Sequence, residues 1–345
     1  MPETPPNDPV PDELAFPGAR RPDRRRWVAS SGVRLEVSEW GDLGAPVVLL
    51  AHGGFDFAAT FDVFAPRLAD GGWRVVSWDH RGHGDSQHTP LYSWGADQRD
   101  AMAVLDSTTT DPVAVVGHSK GGGVTLDLAQ ACPHRVSHLV NIDGLPSKRP
   151  RPDLADHERT RLLATELTGW LDYRRKADER ERRPGTVDEL AERRQRMNPR
   201  LSLDWLRYLV AVGARRDDDG WRWKLDPGLR FGGFGPWRPE WALDQLPGLA
   251  APLLAIIGLA PEPMGMGHTP ESIAPHLPFG HGSKRSTTRD TSSTSNNPSG
   301  WPPWSWTSCG HEPHEPDARP LPRRAGAAPP DRRRRARPLA APRPG

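Results

Sequence analysis

Five short apolar runs recur along the first 260 residues: 46–51 (PVVLLA), 73–78 (WRVVSW), 112–116 (PVAVV), 136–142 (VSHLVNI) and 252–258 (PLLAIIG). Each has the length of a strand, and its unbroken apolar character predicts burial on both faces. Residues 27–28 and 35–40 alternate instead, which predicts an opening pair of strands. Helical spacing of apolar residues occupies 57–68, 96–107 and 124–131. Strands alternating with helices in this way predict right-handed crossovers and a mostly parallel sheet.

Between 145 and 246 the pattern changes to Arg-, Asp-, Glu- and Trp-rich amphipathic stretches. Thr186 and Glu189 have the spacing of a capping box. Trp205, Leu206, Leu209 and Val210 share one helical face. The predicted organisation is a loose leader over 1–26, a core over 27–144, a helical cap over 145–246 and a second, incomplete core segment over 247–280.

The last stretch, 281–345, has no Ile, Val, Phe, Tyr or Met. It holds 12 Lys and Arg against 5 Asp and Glu. The whole chain of 345 residues is +2, so the first 280 residues are −5 and the basic character belongs to the end alone. With two Leu and three Trp as its large hydrophobes, this stretch cannot offset the entropy of ordering and is expected to be disordered. Of the chain's 39 Pro, 19 lie there and in the leader, whereas most of its 34 Gly lie between them.

No run approaches the roughly 18 apolar residues of a membrane helix, and the first residues do not read as a signal peptide. Cys132 and Cys309 cannot form a disulfide framework, so a reducing, cytoplasmic setting is expected.

Gly117-His118-Ser119-Lys120-Gly121 lies between a predicted buried strand and a predicted helix. A serine on that sharp turn exposes its Oγ at the carboxyl end of the sheet, and the flanking glycines leave room for the neighbouring strand and helix. The following helix aims its N-terminus at developing negative charge. The side chain of Lys120 is expected to be a solvated cap. Acyl transfer also needs two N–H donors at the carbonyl oxygen. The candidates are the backbone N–H of Lys120 and that of Gly54, in the turn after His52-Gly53-Gly54, with Phe55 next in line.

These features resemble the α/β-hydrolase fold superfamily, in its capped, serine-nucleophile group of esterase, lipase and epoxide-hydrolase-like proteins. The resemblance rests on His52-Gly53-Gly54, on Asp79-His80-Arg81-Gly82-His83-Gly84-Asp85-Ser86 and on 117–121, and covers about residues 27–280. It implies a doubly wound sheet with a helical cap, no cofactor and no metal. It also implies a small-molecule substrate, apolar or aromatic to judge from the Trp-rich cap. The Asp79–Ser86 loop is expected to brace the site rather than act in it. Ser119, where epoxide hydrolases of the superfamily carry an Asp, implies attack on a carbonyl bond through an acyl-serine.

The acid and the base depart from the family pattern. The residues near the usual acid position are Pro261 and Glu262, so Glu262 is one candidate acid. Asp143, after the strand 136–142, is the alternative. A triad His is not identifiable. His268, His276 and His281 fall before the expected place, and no apolar run precedes His311 or His314. Pro-spaced histidines in a flexible tail are not expected to hold a metal.

A displaced reading frame accounts for the loss. In it, each codon takes the last base of one written codon and the first two of the next. Written Ser (TCN) and Trp codons then place T second, which encodes Phe, Leu, Ile, Met or Val. With suitable wobble bases, Gly282 to Cys309 becomes VEAIDDTGHFVHIEQPERVAALVLDFL, with the histidine of its Gly-His-Phe read across Asp290 and Thr291. That is a short strand, a Gly-His-Phe loop, an acidic-Gln-Pro turn and an amphipathic helix. If His311 is encoded CAT, a TGA stop follows across His311 and Glu312. A frameshift near His281 is therefore expected. Two other readings stand beside it: a hydrolase-fold protein of little activity for want of the His, and a nucleic-acid-binding tail built on Arg332–Arg335, for which no binding fold is present.

Overall fold

The computed structural model describes residues 4–5, 7–90, 92–145, 156–178, 182–229, 243–244, 246–260 and 267–278. Its centre is a seven-stranded sheet in the order β1-β2-β4-β3-β5-β6-β9. The strands are β1 (Arg24–Ser30), β2 (Val33–Trp40), β3 (Val47–Ala51), β4 (Arg74–Trp78), β5 (Val113–His118), β6 (Val136–Ile142) and β9 (Leu253–Ile256). β1 pairs antiparallel with β2, and β2 with β4; every later pair is parallel. This is the mostly parallel sheet that the alternation of strand and helix predicts, in the arrangement that the α/β-hydrolase resemblance implies. β3, β4 and β5 are almost wholly buried because sheet faces on both sides are covered.

Helices α1 (Phe64–Asp70), α2 (Trp94–Thr108) and α3 (Lys120–Ala131) make the crossovers. The helical spacing over 57–68 divides in two: a 3-10 turn at Ala58–Phe61, then α1. Ser93 caps α2 by accepting from the N–H of Ala96.

The region expected to form a cap holds α4 (Asp156–Asp178), α5 (Val187–Gln195) and α6 (Leu203–Gly213), followed by a hairpin of β7 (Ala214–Asp217) and β8 (Gly220–Trp223). Thr186 and Glu189 form the capping box at α5. Trp205, Leu206, Leu209 and Val210 are buried together, with Tyr208 stacked on Trp205 at 5.2 Å. The hairpin lies inside a region expected to be helical. Its four-residue strands are too short, and too rich in Arg, for their period to stand out.

The stretch before Trp27 differs from a loose leader. Residues Asp12–Leu14 form a 3-10 turn, Phe16 packs edge-on against Trp205 at 4.9 Å, and β1 begins at Arg24. Arg21 donates to the buried carboxylate of Asp62 at 2.8 Å, and Tyr208 donates to the same group. Its order comes from partners distant in sequence, which local composition cannot register.

The last strand, β9, also differs from expectation. Leu253 and Ile256 are half-buried and Leu254 is 48% exposed, because β9 is the edge of the described sheet. Helix α7 (Pro270–Ile273) follows it. Residues 281–345, with the expected tail, lie outside the described residues. Among the described residues no helix is long and apolar enough to cross a membrane.

Candidate active site

Ser119 sits between β5 and α3 with φ 50° and ψ −118°, a backbone conformation side chains rarely adopt. Its N–H donates to Ile142 O at 2.9 Å, and its own carbonyl accepts from Gly122 at 2.9 Å, so the strained turn is held from both sides. The glycines have the packing role inferred from sequence. A Cβ on Gly117 would overlap the Gly121 carbonyl and Thr125 Oγ1; one on Gly121 would overlap the carbonyls of Ala51 and His52. Ser119 and His118 are both half-buried.

The turn after β3 lies against this elbow. A Cβ on Gly53 would come within 3.1 Å of the His118 ring and 3.5 Å of Ser119 Cβ, and one on Gly54 within 3.8 Å of Lys120 Cβ. Gly54 and Lys120, the expected oxyanion donors, are thus neighbours. Lys120 opens α3, where backbone N–H groups have no partner within the helix. Phe55, with φ 63°, already donates its N–H to His83 Nε2 at 3.2 Å. The Lys120 side chain is not a solvated cap. Its Nζ pairs with Asp97 of α2 at 3.0 Å, and both groups are largely buried.

Three histidines beneath the turn have hydrogen bonds that fix their tautomers. His52 Nδ1 donates to Gly53 O at 2.7 Å, and its Nε2 accepts from the N–H of His80 at 2.9 Å. His80 Nε2 donates to His52 O at 3.1 Å, and His83 Nδ1 to Arg81 O at 3.0 Å. Burial pushes all three below the ordinary imidazole range, His52 to about 3. The bonded ring nitrogens serve loop geometry, while His80 Nδ1 is buried without a hydrogen-bond partner.

The Asp79–Ser86 loop is held from within. Asp79 Oδ1 accepts from the N–H of Ala58 and Oδ2 from that of Asp85, both at 2.7 Å. Ser86 Oγ donates to Asp79 O at 2.6 Å. Burial, and then the charges of Glu36 and Asp85, raise the Asp79 carboxyl to about 8. Arg81 makes a buried two-pronged pair with Asp100 at 2.7 and 2.6 Å.

Asp143 follows β6 with φ 47°. Its N–H donates to Ile256 O at 2.7 Å and its Oδ1 accepts from the N–H of Gly258 at 3.4 Å, so it joins the ends of β6 and β9. Its charge and that of Asp56 act on His118, whose pKa burial lowers. Glu262, His281, His311 and His314 lie outside the described residues. His268 is buried with Nε2 on Leu145 O at 2.8 Å. Among the described residues no hydrogen bond reaches the Ser119 hydroxyl.

One contributor escaped sequence reasoning. Arg194, on cap helix α5, donates from Nη1 to Phe55 O at 2.9 Å and from Nη2 to Asp56 Oδ1 at 3.3 Å. Its Nε donates to Asn198 at 3.0 Å. An arginine among many in the cap carries no sequence signal for this role.

A family model described as serine aminopeptidase, S33, a hydrolase family, matches residues 45–226. Epoxide hydrolase A of Mycobacterium tuberculosis is 33% identical over 139 residues, 39% of this chain and 43% of that protein. The mouse sn-1-specific diacylglycerol lipase ABHD11 is 36% identical over 107 residues, 31% of this chain and 35% of that one. The matches thus span about a third to a half of these relatives' lengths. Among solved structures, a thioesterase domain from the curacin biosynthetic pathway superposes with a TM-score of 0.62 at 23% identity, covering 73% of this chain and 88% of that one.

Proposed function

The chain belongs to the α/β-hydrolase family described as serine aminopeptidase, S33, and on that premise we propose that it is a serine hydrolase acting on an ester-like carbonyl bond of a small molecule. The observation that carries this reading is Ser119 on its strained elbow, with Gly117 and Gly121 forced by the packing of β5 and α3.

Ser119 Oγ attacks the carbonyl carbon, and its proton passes to a general base. The carbonyl π electrons move to oxygen, and the oxyanion accepts from the N–H groups of Gly54 and Lys120. On collapse the base returns the proton to the leaving group, and water then releases the acyl group from Ser119 by the same steps. Phe55 is not the second donor in this reading, because its N–H is committed to His83. The acid that orients the base is Asp143 or Glu262. The position of Asp143, next to the Ile142 carbonyl that holds the Ser119 N–H, favours it.

The partly buried Phe55 and Trp223 pack on Tyr92, Leu225 and Leu229 where the cap meets the turn after β3, which supports an apolar or aromatic substrate group. The setting is proposed to be cytoplasmic, and nucleic acid is not a partner in this reading.

Treatment with a fluorophosphonate probe, with p-nitrophenyl esters as substrates and Ser119→Ala as control, tests the proposal. Labelling lost in that variant supports it. A folded chain labelled equally with and without Ser119 overturns it.

A further inference from the structure

Among the described residues, no strand pairs with the outer edge of β9. β9 is the last strand of the described sheet and pairs there with β6 alone. Its four residues, LLAI, are all apolar, yet Leu254 is 48% exposed, and Leu259 beyond it is 44% exposed. Leu253, Ala255 and Ile257 pack on one core cluster and Ile256 on the other, so both faces of the sheet continue up to this strand. An all-apolar strand with core on both faces belongs inside a sheet, because an open edge is a template for aggregation.

We infer that one base is missing from the reading of this chain near codon 281, and that the displaced frame encodes the strand, loop and helix that cover the β9 edge. The inference rests on the serine-hydrolase reading only for the role of its histidine. A single lost base makes true codons begin on the last base of written ones, which is the displacement that recovers an apolar pattern from 282–309. Part of that pattern needs no choice of wobble base. Trp (TGG) and Cys (TGY) put TG in the last two places of the displaced codon, so Trp301, Trp304, Trp306 and Cys309 each become Leu, Val or Met. Pro302 and Pro303 become small residues, Ala among them. Four large apolar residues within nine positions therefore lie under text that, as written, has no aliphatic residue between Gly282 and Cys309.

Charge agrees. The displaced 27-residue string has six acidic residues and one basic one, which continues the acidic character of residues 1–280; the written stretch 281–345 is +7. The string opens with Val-Glu-Ala-Ile, a strand pattern of the right length to pair with β9. The Gly-His-Phe loop that follows supplies an imidazole to accept the Ser119 hydroxyl proton, a hydrogen bond that no described residue makes.

Sequencing the gene across codons 278–312 is the first test. The expected result is one base more than the written chain implies, with the displaced string in frame. A clean read that keeps the written frame, and whose displaced frame lacks the Gly-His-Phe codons, overturns the inference. The second test compares the chain as written with the chain carrying the restored base. The restored chain is expected to melt several degrees higher and to label with fluorophosphonate at least about 1000-fold faster. Replacing the histidine of its Gly-His-Phe by Ala is expected to abolish labelling and keep the higher Tm. A higher Tm without labelling supports the completed edge and counts against the hydrolase reading instead. A restored chain that is neither more stable nor better labelled overturns the inference.

Discussion

Arg194 of the cap donates to the carbonyl of Phe55 at 2.9 Å, across the boundary between cap and core. The same residue, Phe55, gives its N–H to His83 from below at 3.2 Å. The peptides on either side of Phe55 are therefore fixed from two directions, and the neighbouring Gly54 N–H inherits its aim. Seating of the cap and shape of the proposed oxyanion hole are one structural fact.

Arg194→Ala is expected to speed amide exchange over residues 54–57 by about tenfold or more, read by hydrogen-exchange mass spectrometry. Fluorophosphonate labelling of an active chain should slow by about tenfold, short of the loss from deleting a whole oxyanion donor. Arg194→Lys, which keeps one donor, should recover part of both effects. Exchange unchanged in the Ala variant would separate cap from turn.

Gly121→Ala places a methyl group against the carbonyls of Ala51 and His52, neither of which can retreat within a packed sheet. The expected cost is about 3 kcal/mol or more in urea unfolding, with loss of labelling. Gly54→Ala is the contrast. Its new methyl meets only the Lys120 side chain, at an ordinary 3.8 Å from Cβ and 4.0 Å from Cδ, and the N–H is retained. That variant should keep both its labelling and its Tm, within about 2 °C. Similar losses in the two variants would contradict the elbow geometry.

Lys120→Met removes the cation facing the buried Asp97 carboxylate. The cost should be about 1–3 kcal/mol, because a buried charge is left without its partner. Adding Asp97→Asn should restore most of it, which makes the pair strongly coupled in a double-mutant cycle. Labelling should survive in both variants, since the proposed role of Lys120 is its backbone N–H. Loss of labelling in Lys120→Met alone would give its ammonium a part in the chemistry.

The buried imidazoles make acid destabilising. Above pH about 6.5 His52, His80 and His83 are neutral in both folded and unfolded chains, and no penalty arises. As pH falls below that value, the unfolded chain takes up protons that the folded one refuses, down to about 3 for His52. Each such group costs about 1.4 kcal/mol per pH unit in that window. The raised carboxyl of Asp79 acts with the opposite sign, so the comparison is best made between variants. In His83→Gln, the amide oxygen can still accept from Phe55. Its stability should fall less steeply than wild type as pH drops below about 6.5, because burial holds the His83 imidazole below its ordinary range. Equal slopes in urea titrations would mean that His83 is not held neutral.

How far the site was legible follows from the range of the forces involved. The Ser119 elbow was readable because a strand, a Gly-x-Ser-x-Gly turn and a helix succeed one another within about twenty residues. The brace at Asp79–Ser86 was legible only through the resemblance of that loop to the superfamily, not from local spacing. The commitment of Phe55 to His83, the pairing of Lys120 with Asp97 and the reach of Arg194 from the cap were not. Each joins residues 23 to 139 positions apart, and nothing in the local spacing marks the partner.

The sequence by itself determined the parallel core, the position of the elbow and the break in character near residue 281, because periodicity and codon content are local properties of the chain. Only the tertiary structure decided that the leader is pinned by Phe16 and Arg21, and that Gly54 lies beside Lys120 with its turn gripped by cap and floor. It also decided that β9 ends the described sheet half-exposed. Those outcomes depend on which surfaces meet once the chain is packed, and burial exists only after the partners have been brought together.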